Sequence, residues 1–226
     1  MSVFVTGDTH TPIDIGKLNT KRWPEQRDLS RDDYLIICGD FGAVWNGGPE
    51  DLYWQKWLND KPFTTLFIDG NHENHRLLND YQVAAWNGGK VHRVQQNVIH
   101  LMRGQVYNIC GLKIFTMGGA RSTDTVYRKE GVSWWPEELP SDAEYEEAQR
   151  NLDAAGWEVD LVLTHCAPNR LQNKLVPGYK LDKLTGFLDV MIYQCLEYSH
   201  WFFGHYHVDR QLDSYHTAIY NKIVKV

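Results

Sequence analysis

Five short apolar runs recur along the chain, and each breaks off beside a residue able to ligate a metal. Val3–Val5 stops at Gly7-Asp8, Tyr34–Cys38 at Gly39-Asp40, Thr65–Ile68 at Asp69-Gly70-Asn71, Leu161–Leu163 at Thr164-His165, and Trp201–Phe203 at Gly204-His205. Short apolar runs bounded by turn formers are the pattern of strands covered on both faces, as inside an α/β sheet. Ligands of open α/β sheets bind just outside the carboxyl ends of the strands. A polar, metal-competent residue repeated at that end therefore predicts an α/β fold whose site lies where the strands stop.

Helices fit between these strands. The pattern predicts them over Glu50–Leu58, over His75–Tyr81 as a short one, over Asp142–Ala154 and over Leu184–Tyr198. The third has the clearest borders: Ser141 and Glu144 make a capping box and Gly156 sits just past the end. From Val91 to Met117 the pattern changes to short strands with turns at Gly104 and Gly111, and Asp209–Val226 also reads as short strands. No repeat or linker divides the chain, so residues 1–226 read as one domain, long enough to bury a core without disulfides. The long segment Gly118–Pro140 reads as an ordered functional loop, with Trp134 and Trp135 packing it down.

The charge balance narrows the partners. With 23 Lys and Arg against 29 Asp and Glu, the net charge is −6, which gives no footprint for long nucleic acid but leaves a small nucleotide substrate open. No stretch approaches the roughly 20 apolar residues of a membrane span, so no membrane partner is expected. The amino terminus lacks the basic region and cleavage site of a signal peptide. The four cysteines, at 38, 110, 166 and 195, form no C-x-x-C pair, which suits a reducing compartment. The expectation is a cytoplasmic protein; nothing in the sequence fixes an oligomeric state.

The polar clusters carry the chemistry. They are Asp8-Thr9-His10, Gly39-Asp40, Gly70-Asn71-His72-Glu73, Thr164-His165 and Gly204-His205-Tyr206-His207. In extended chain, residues two apart point the same way, so Asp8 can act with His10 and His205 with His207. Asp8, His10, Asp40, Asn71, His165, His205 and His207 make a mixed nitrogen and oxygen donor set without thiolate. Such a set suits Mn, Fe, Zn or Ni better than Ca or Mg. It is too large for one tetrahedral ion and about right for two. Two divalent ions facing the carboxylates of Asp8 and Asp40 stay net positive, which attracts a phosphate anion and favours in-line displacement at phosphorus.

The ordered set D-x-H, G-D, G-N-H-[DE], H and G-H-x-H resembles that of the calcineurin-like metallophosphoesterase superfamily, and the resemblance runs from Asp8 to His207. It implies a two-sheet β-sandwich flanked by helices, with the metal site at the carboxyl ends of the strands. It also implies a two-metal-dependent phosphoesterase that hydrolyses a phosphomonoester or phosphodiester by a metal-bridging hydroxide, with manganese the first expectation and Fe, Zn or Ni compatible. One ion would take Asp8, His10, Asp40 and His207. The other would take Asp40, Asn71, His165 and His205. Asp40 would bridge, and His72 would stand beside the leaving group as its proton donor.

Within the superfamily the second motif departs from protein Ser/Thr phosphatases, whose Asp and Arg are replaced by Ala43 and Val44. Cys38–Val44 and His200–Val208 are similar to the corresponding motifs of RNA lariat debranching enzymes, although those carry Cys where this chain has Asp8. The alternatives are a protein phosphatase and a non-catalytic scaffold of the same fold; the complete ligand set argues against the scaffold. In the long loop, Arg121 lies between small residues and is the expected contact to the substrate phosphate. Arg128 ranks behind it. His75, His92, His100, His200 and His216 fall outside the motifs and read as hydrogen-bonding residues of core or surface.

Overall fold

The computed structural model describes all 226 residues. Its strands are β1 (Val3–Thr6), β2 (Tyr34–Cys38), β3 (Thr64–Ile68), β4 (Val83–Trp86), β5 (Gly89–Gln95), β6 (Val98–Leu101), β7 (Gln105–Ile109), β8 (Leu112–Met117), β9 (Glu158–Thr164), β10 (Glu197–Phe203), β11 (Arg210–Gln211), β12 (His216–Ala218) and β13 (Ile223–Lys225). The α-helices are α1 (Pro49–Asn59), α2 (His75–Asn79), α3 (Asp142–Ala154), α4 (Asn169–Leu175) and α5 (Lys183–Phe187). No helix is long and apolar enough to cross a membrane.

The strands form two mixed sheets. The first has seven strands in the order β13-β1-β2-β3-β6-β5-β4, and the second has six in the order β11-β12-β10-β9-β8-β7. In each the central strands are parallel: β1, β2, β3 and β6 in one, β8, β9, β10 and β12 in the other. Antiparallel strands close the edges. This is the two-sheet α/β sandwich that the sequence resemblance implies.

Alternation along the strands builds three apolar layers. Ile36 and Cys38 of β2 point inward, where Val5, Leu66, Ile114, Leu161, Leu163 and Phe202 from both sheets meet. Leu35 and Ile37 point outward and pack with Phe67 and with Leu58 of α1. On the far side Val162, Trp201 and Phe203 pack against Ala148 and Leu152 of α3. The central strands thus present apolar residues on both faces, and the expected metal ligands follow their ends.

Two details differ from the sequence expectation. The predicted helix Leu184–Tyr198 is shorter: α5 ends at Phe187, a π-turn follows over Leu188–Ile192, and Glu197 and Tyr198 already belong to β10, opposite Glu158 and Val159 of β9. The parallel ladder wins there because it satisfies backbone groups that a last helical turn would leave open. Helix α4 falls in a stretch left unassigned; it starts directly after Pro168. The capping box of α3 is present as expected, with the Ser141 amide donating to Glu144 Oε2 at 2.7 Å. The loop from Gly118 to Pro140 contains two short 3-10 turns and is pinned by the buried Trp135.

Candidate metal centre

The parallel strands of both sheets end at one rim, and every expected ligand lies within four residues of such an end. Asp8 and His10 follow β1, Asp40 follows β2, Asn71 follows β3, His165 follows β9, and His205 and His207 follow β10. The turns are tight enough to push backbone into unusual shapes. His10, Asp40, His205 and His207 have φ of 33°, 47°, 69° and 50°, in the left-handed region that residues with a β-carbon rarely occupy. Strain of this kind is characteristic of functional sites. Glycine is obligatory beside them. A β-carbon on Gly70 would stand 2.1 Å from Asp40 Oδ1, and one on Gly39 2.1 Å from His165 Nδ1.

The side chains gather into two groups. Asp8, His10, Asp40 and His207 form one, Asp40, His165 and His205 the other, and within each group the donor atoms lie within 4.8 Å of one another. Asp40 belongs to both. Its Oδ2 is 3.0 Å from His10 Nε2 and its Oδ1 is 3.3 Å from His165 Nε2. His207 Nε2 lies 3.2 Å from Asp8 Oδ2. Asn71 joins the second group through Oδ1, 3.3 Å from His165 Nε2. Asp8, Asp40 and His165 are buried, whereas the His207 side chain is 51% exposed, so the centre opens to solvent on that side.

Outer contacts orient these donors. Asp14 Oδ2 holds His10 Nδ1 at 2.8 Å, and the Cys38 carbonyl accepts from His165 Nδ1 at 2.8 Å. Both histidines therefore turn Nε2 inward, the usual arrangement of imidazoles that ligate metals. The Asn71 amide donates to Ser122 Oγ at 3.2 Å, and Ser122 Oγ donates to Glu138 Oε2 at 2.6 Å. Tyr179 places its hydroxyl 2.6 Å from His205 Nε2. Glu73 is fully buried and accepts from the backbone amides of Phe41 (2.9 Å), Gly70 (3.2 Å) and Gly42 (3.3 Å), which ties the second motif to the third. Buried Lys17 donates to the carbonyls of Gly7 (2.9 Å) and Asp8 (2.7 Å). Asp14, Lys17, Ser122, Glu138 and Tyr179 carry no motif signal, because their place is set by chain path; Glu73 lay inside a motif but reads as a ligand type, not as a backbone clamp.

The electrostatics test whether cations fit. Burial pulls the His10 imidazole down, but its bond to Asp40 and the charges of Asp40 and Asp8 push it up to about 9. His165 is likewise opposed by burial and raised by Asp40, to about 10. Burial would raise the Asp40 carboxyl, yet His165 and His10 hold it well below the usual range. Two buried carboxylates thus demand positive charge, since an uncompensated buried charge is strongly destabilising. Here protons on histidines supply it, at the atoms a divalent ion would engage. The donor set fits a pair of such ions, and their binding would release those protons.

His72 stands beside the centre. Its amide donates to Asp40 Oδ1 at 2.8 Å, and its ring lies 5.3 Å from that of His10. Burial pulls its imidazole down, opposed by Asp40 and helped by Arg128. The arginine that reaches the centre is Arg128. One guanidinium nitrogen donates to His72 Nε2 at 3.0 Å while Nε pairs with Asp124 at 2.8 Å. Arg121, the arginine favoured from sequence, is exposed to solvent. The small residues around it mark where the loop packs closely on Asp69 at Gly118 and on Glu138 at Gly119, not the approach of its own side chain.

Comparison with known proteins agrees with this geometry. The calcineurin-like phosphoesterase family matches residues 1–209. Similar curated proteins include a lariat debranching enzyme of Danio rerio, 24% identical over 258 aligned positions that cover 100% of this chain and 44% of that protein. Lariat debranching enzyme A of Xenopus laevis is 28% identical over 145 positions, 57% of this chain and 25% of that protein. A lariat debranching enzyme of Schizosaccharomyces pombe is 28% identical over 136 positions, 54% of this chain and 26% of that protein. The chain thus spans less than half the length of these relatives. The family match takes in all five strand-end motifs and both sheets up to the turn after β10, and on that ground the chain belongs to the calcineurin-like phosphoesterase family.

Proposed function

We propose that the protein is a metal-dependent hydrolase of phosphate esters, acting on a phosphodiester or a phosphomonoester. The observation that carries this reading is Asp40, a buried carboxylate shared by two donor groups with His72 bonded to it. Asp8, His10, Asp40 and His207 would hold one ion, and Asp40, Asn71, His165 and His205 the other, with manganese the first to try. When bound, such ions supply Lewis acidity at the phosphoryl oxygens and bring the ionisation of water into the neutral range. The chain's own residues do the rest. Arg128 is placed to bind a phosphoryl oxygen by a bidentate contact. In the free protein it donates to His72 Nε2, so that nitrogen carries no proton. When a phosphate takes the guanidinium, Nε2 is free to pick up a proton from solvent and deliver it to the leaving oxygen. The exposed His207 side and the groove at His10 and His72 both lead out of the centre, which gives each substituent of a diester a place to lie. The names of the relatives support the diester.

The test is hydrolysis of bis-p-nitrophenyl phosphate and p-nitrophenyl phosphate with added Mn²⁺. Metal-dependent turnover is expected. His72→Ala should keep its metal and slow turnover by ~10²–10⁴-fold, most on poor leaving groups. Full metal occupancy without turnover of either ester would favour the non-catalytic scaffold.

A further inference from the structure

On the His10 and His72 side of the metal centre lies a groove of about 270 Å³. The two imidazoles form its inner end, the indoles of Trp45 and Trp54 line it, and Ile13 and Glu50 stand at its outer part. The proposed metal ligation uses neither tryptophan. Both are half-buried, and both are held in place before any ligand arrives. The backbone amide of Trp45 donates to Asp51 Oδ2 at 2.8 Å, as do those of Asn46 (2.8 Å) and Gly47 (2.7 Å), so one buried carboxylate freezes the turn. The Trp45 indole also packs edge-on against buried Trp135, with ring centroids 5.1 Å apart. Trp54, on α1, packs edge-on against Trp57 at 5.6 Å.

Fixed indoles next to a phosphoryl site suit a flat ring system attached to phosphorus through a short spacer. The volume sets the size of the occupant. At about 270 Å³ the groove is just under the ~300–1,000 Å³ of pockets that enclose a drug-sized ligand, so it takes one ring system with its spacer and not a run of them. The charge sets its chemistry. Glu50 is exposed beside the groove and the whole chain carries −6, which disfavours a second phosphate there and favours a group with N–H donors on its edge. Ile13, 80% exposed, extends the apolar surface outward.

Resting on the phosphoesterase reading above, we propose that this groove binds one nucleobase of a nucleotidyl phosphoester, stacked on Trp45 or Trp54, with its phosphorus at the metal centre. The substrate class is then a nucleotide ester recognised by a single base.

The test compares two ligands that differ only in the base, adenosine 5′-monophosphate and ribose 5-phosphate, by calorimetric binding to the Mn²⁺-loaded full chain. Adenosine 5′-monophosphate should bind at least about tenfold tighter, as stacking of one base on an aromatic side chain implies. In the double variant Trp45→Leu/Trp54→Leu the ratio should fall to near one while ribose 5-phosphate binds as before. Equal binding of the two ligands by the wild type would overturn the proposal whatever the variant does, and so would a ratio that survives in the double variant. Turnover of bis-p-nitrophenyl phosphate is measured alongside. Turnover with equal binding sinks the groove alone; no turnover and no binding of either ligand sinks the groove and the phosphoesterase reading together.

Discussion

Asp40 concentrates more of the site than any other residue: it is buried, it is shared by both donor groups, and its backbone is held at φ 47°. Asp40→Asn should therefore lower bound metal at both positions, not one, as counted by elemental analysis of the dialysed protein. Loss of a single ion would mean that Asp40 does not bridge. Arg128 and Arg121 form a natural pair of variants. Arg128→Lys should lower kcat or raise KM with metal content unchanged, because an ammonium cannot reproduce the forked contact. Arg121→Ala should leave kinetics alone, since that side chain stands in solvent. The reverse pattern would restore the sequence-based choice. Residue types at strand ends were readable because their chemistry and spacing are local. Which loop arginine turns inward was not, because it depends on how residues 118–140 fold back over the site.

At the scale of elements, β5 and β6 place His92 directly opposite His100, and their Nδ1 atoms lie 3.1 Å apart. One must donate and the other accept, so the pair is built for neutral or singly protonated imidazoles. His100 Nε2 in turn meets Asp69 at 3.1 Å, and Arg103 closes on the same carboxylate at 2.6 and 2.8 Å. Burial and the charge of His100 pull His92 down to about 4. An unfolded histidine titrates near ~6.5, so between these values the unfolded chain binds the extra proton. The contribution of His92 should be fully present above pH ~6.5 and fall as pH drops toward 4, by up to ~1.4 kcal/mol per pH unit. Urea unfolding of chelator-treated protein at several pH values checks this. His92→Gln should flatten the slope in that window, and an unchanged slope would show that His92 is not the titrating group. These two histidines read correctly as core hydrogen-bonding residues, but their pairing follows from strand register, which a sequence does not display. The misplaced end of the helix after Leu184 has the same origin: β10 begins where β9 offers a partner.

For the molecule as a whole, the two donor groups act across the sandwich. Asp8, His10 and Asp40 come from the first sheet and His207 from the second; Asp40 from the first sheet meets His165 and His205 from the second. Each bound ion would then clamp one sheet to the other. At a hundredfold excess over its dissociation constant an ion contributes ~2.7 kcal/mol, and 1 kcal/mol moves the midpoint of a chain this size by ~2–4 °C. Adding Mn²⁺ to chelator-treated protein should raise the melting temperature by at least about 5 °C in scanning calorimetry, and Asp40→Asn should lose most of that rise. Equal melting with and without metal would rule out the clamp. Apolar runs and their stops made the α/β strands legible and the family resemblance implied the sandwich, while the order of strands within each sheet depends on long-range pairing and was not legible. None of the ligands lies within a strand; all lie within four residues of one. Framework and chemistry are therefore inherited through different stretches of sequence. Descent can rewrite the segment 118–140 or the turn at Trp45 and change what is bound, while most strand positions answer chiefly to apolar volume, with the His92 and His100 pair a polar exception. Shared ancestry in such a lineage should survive as islands of identity at the strand ends, and a low overall percentage says little about whether two members still share their metal chemistry.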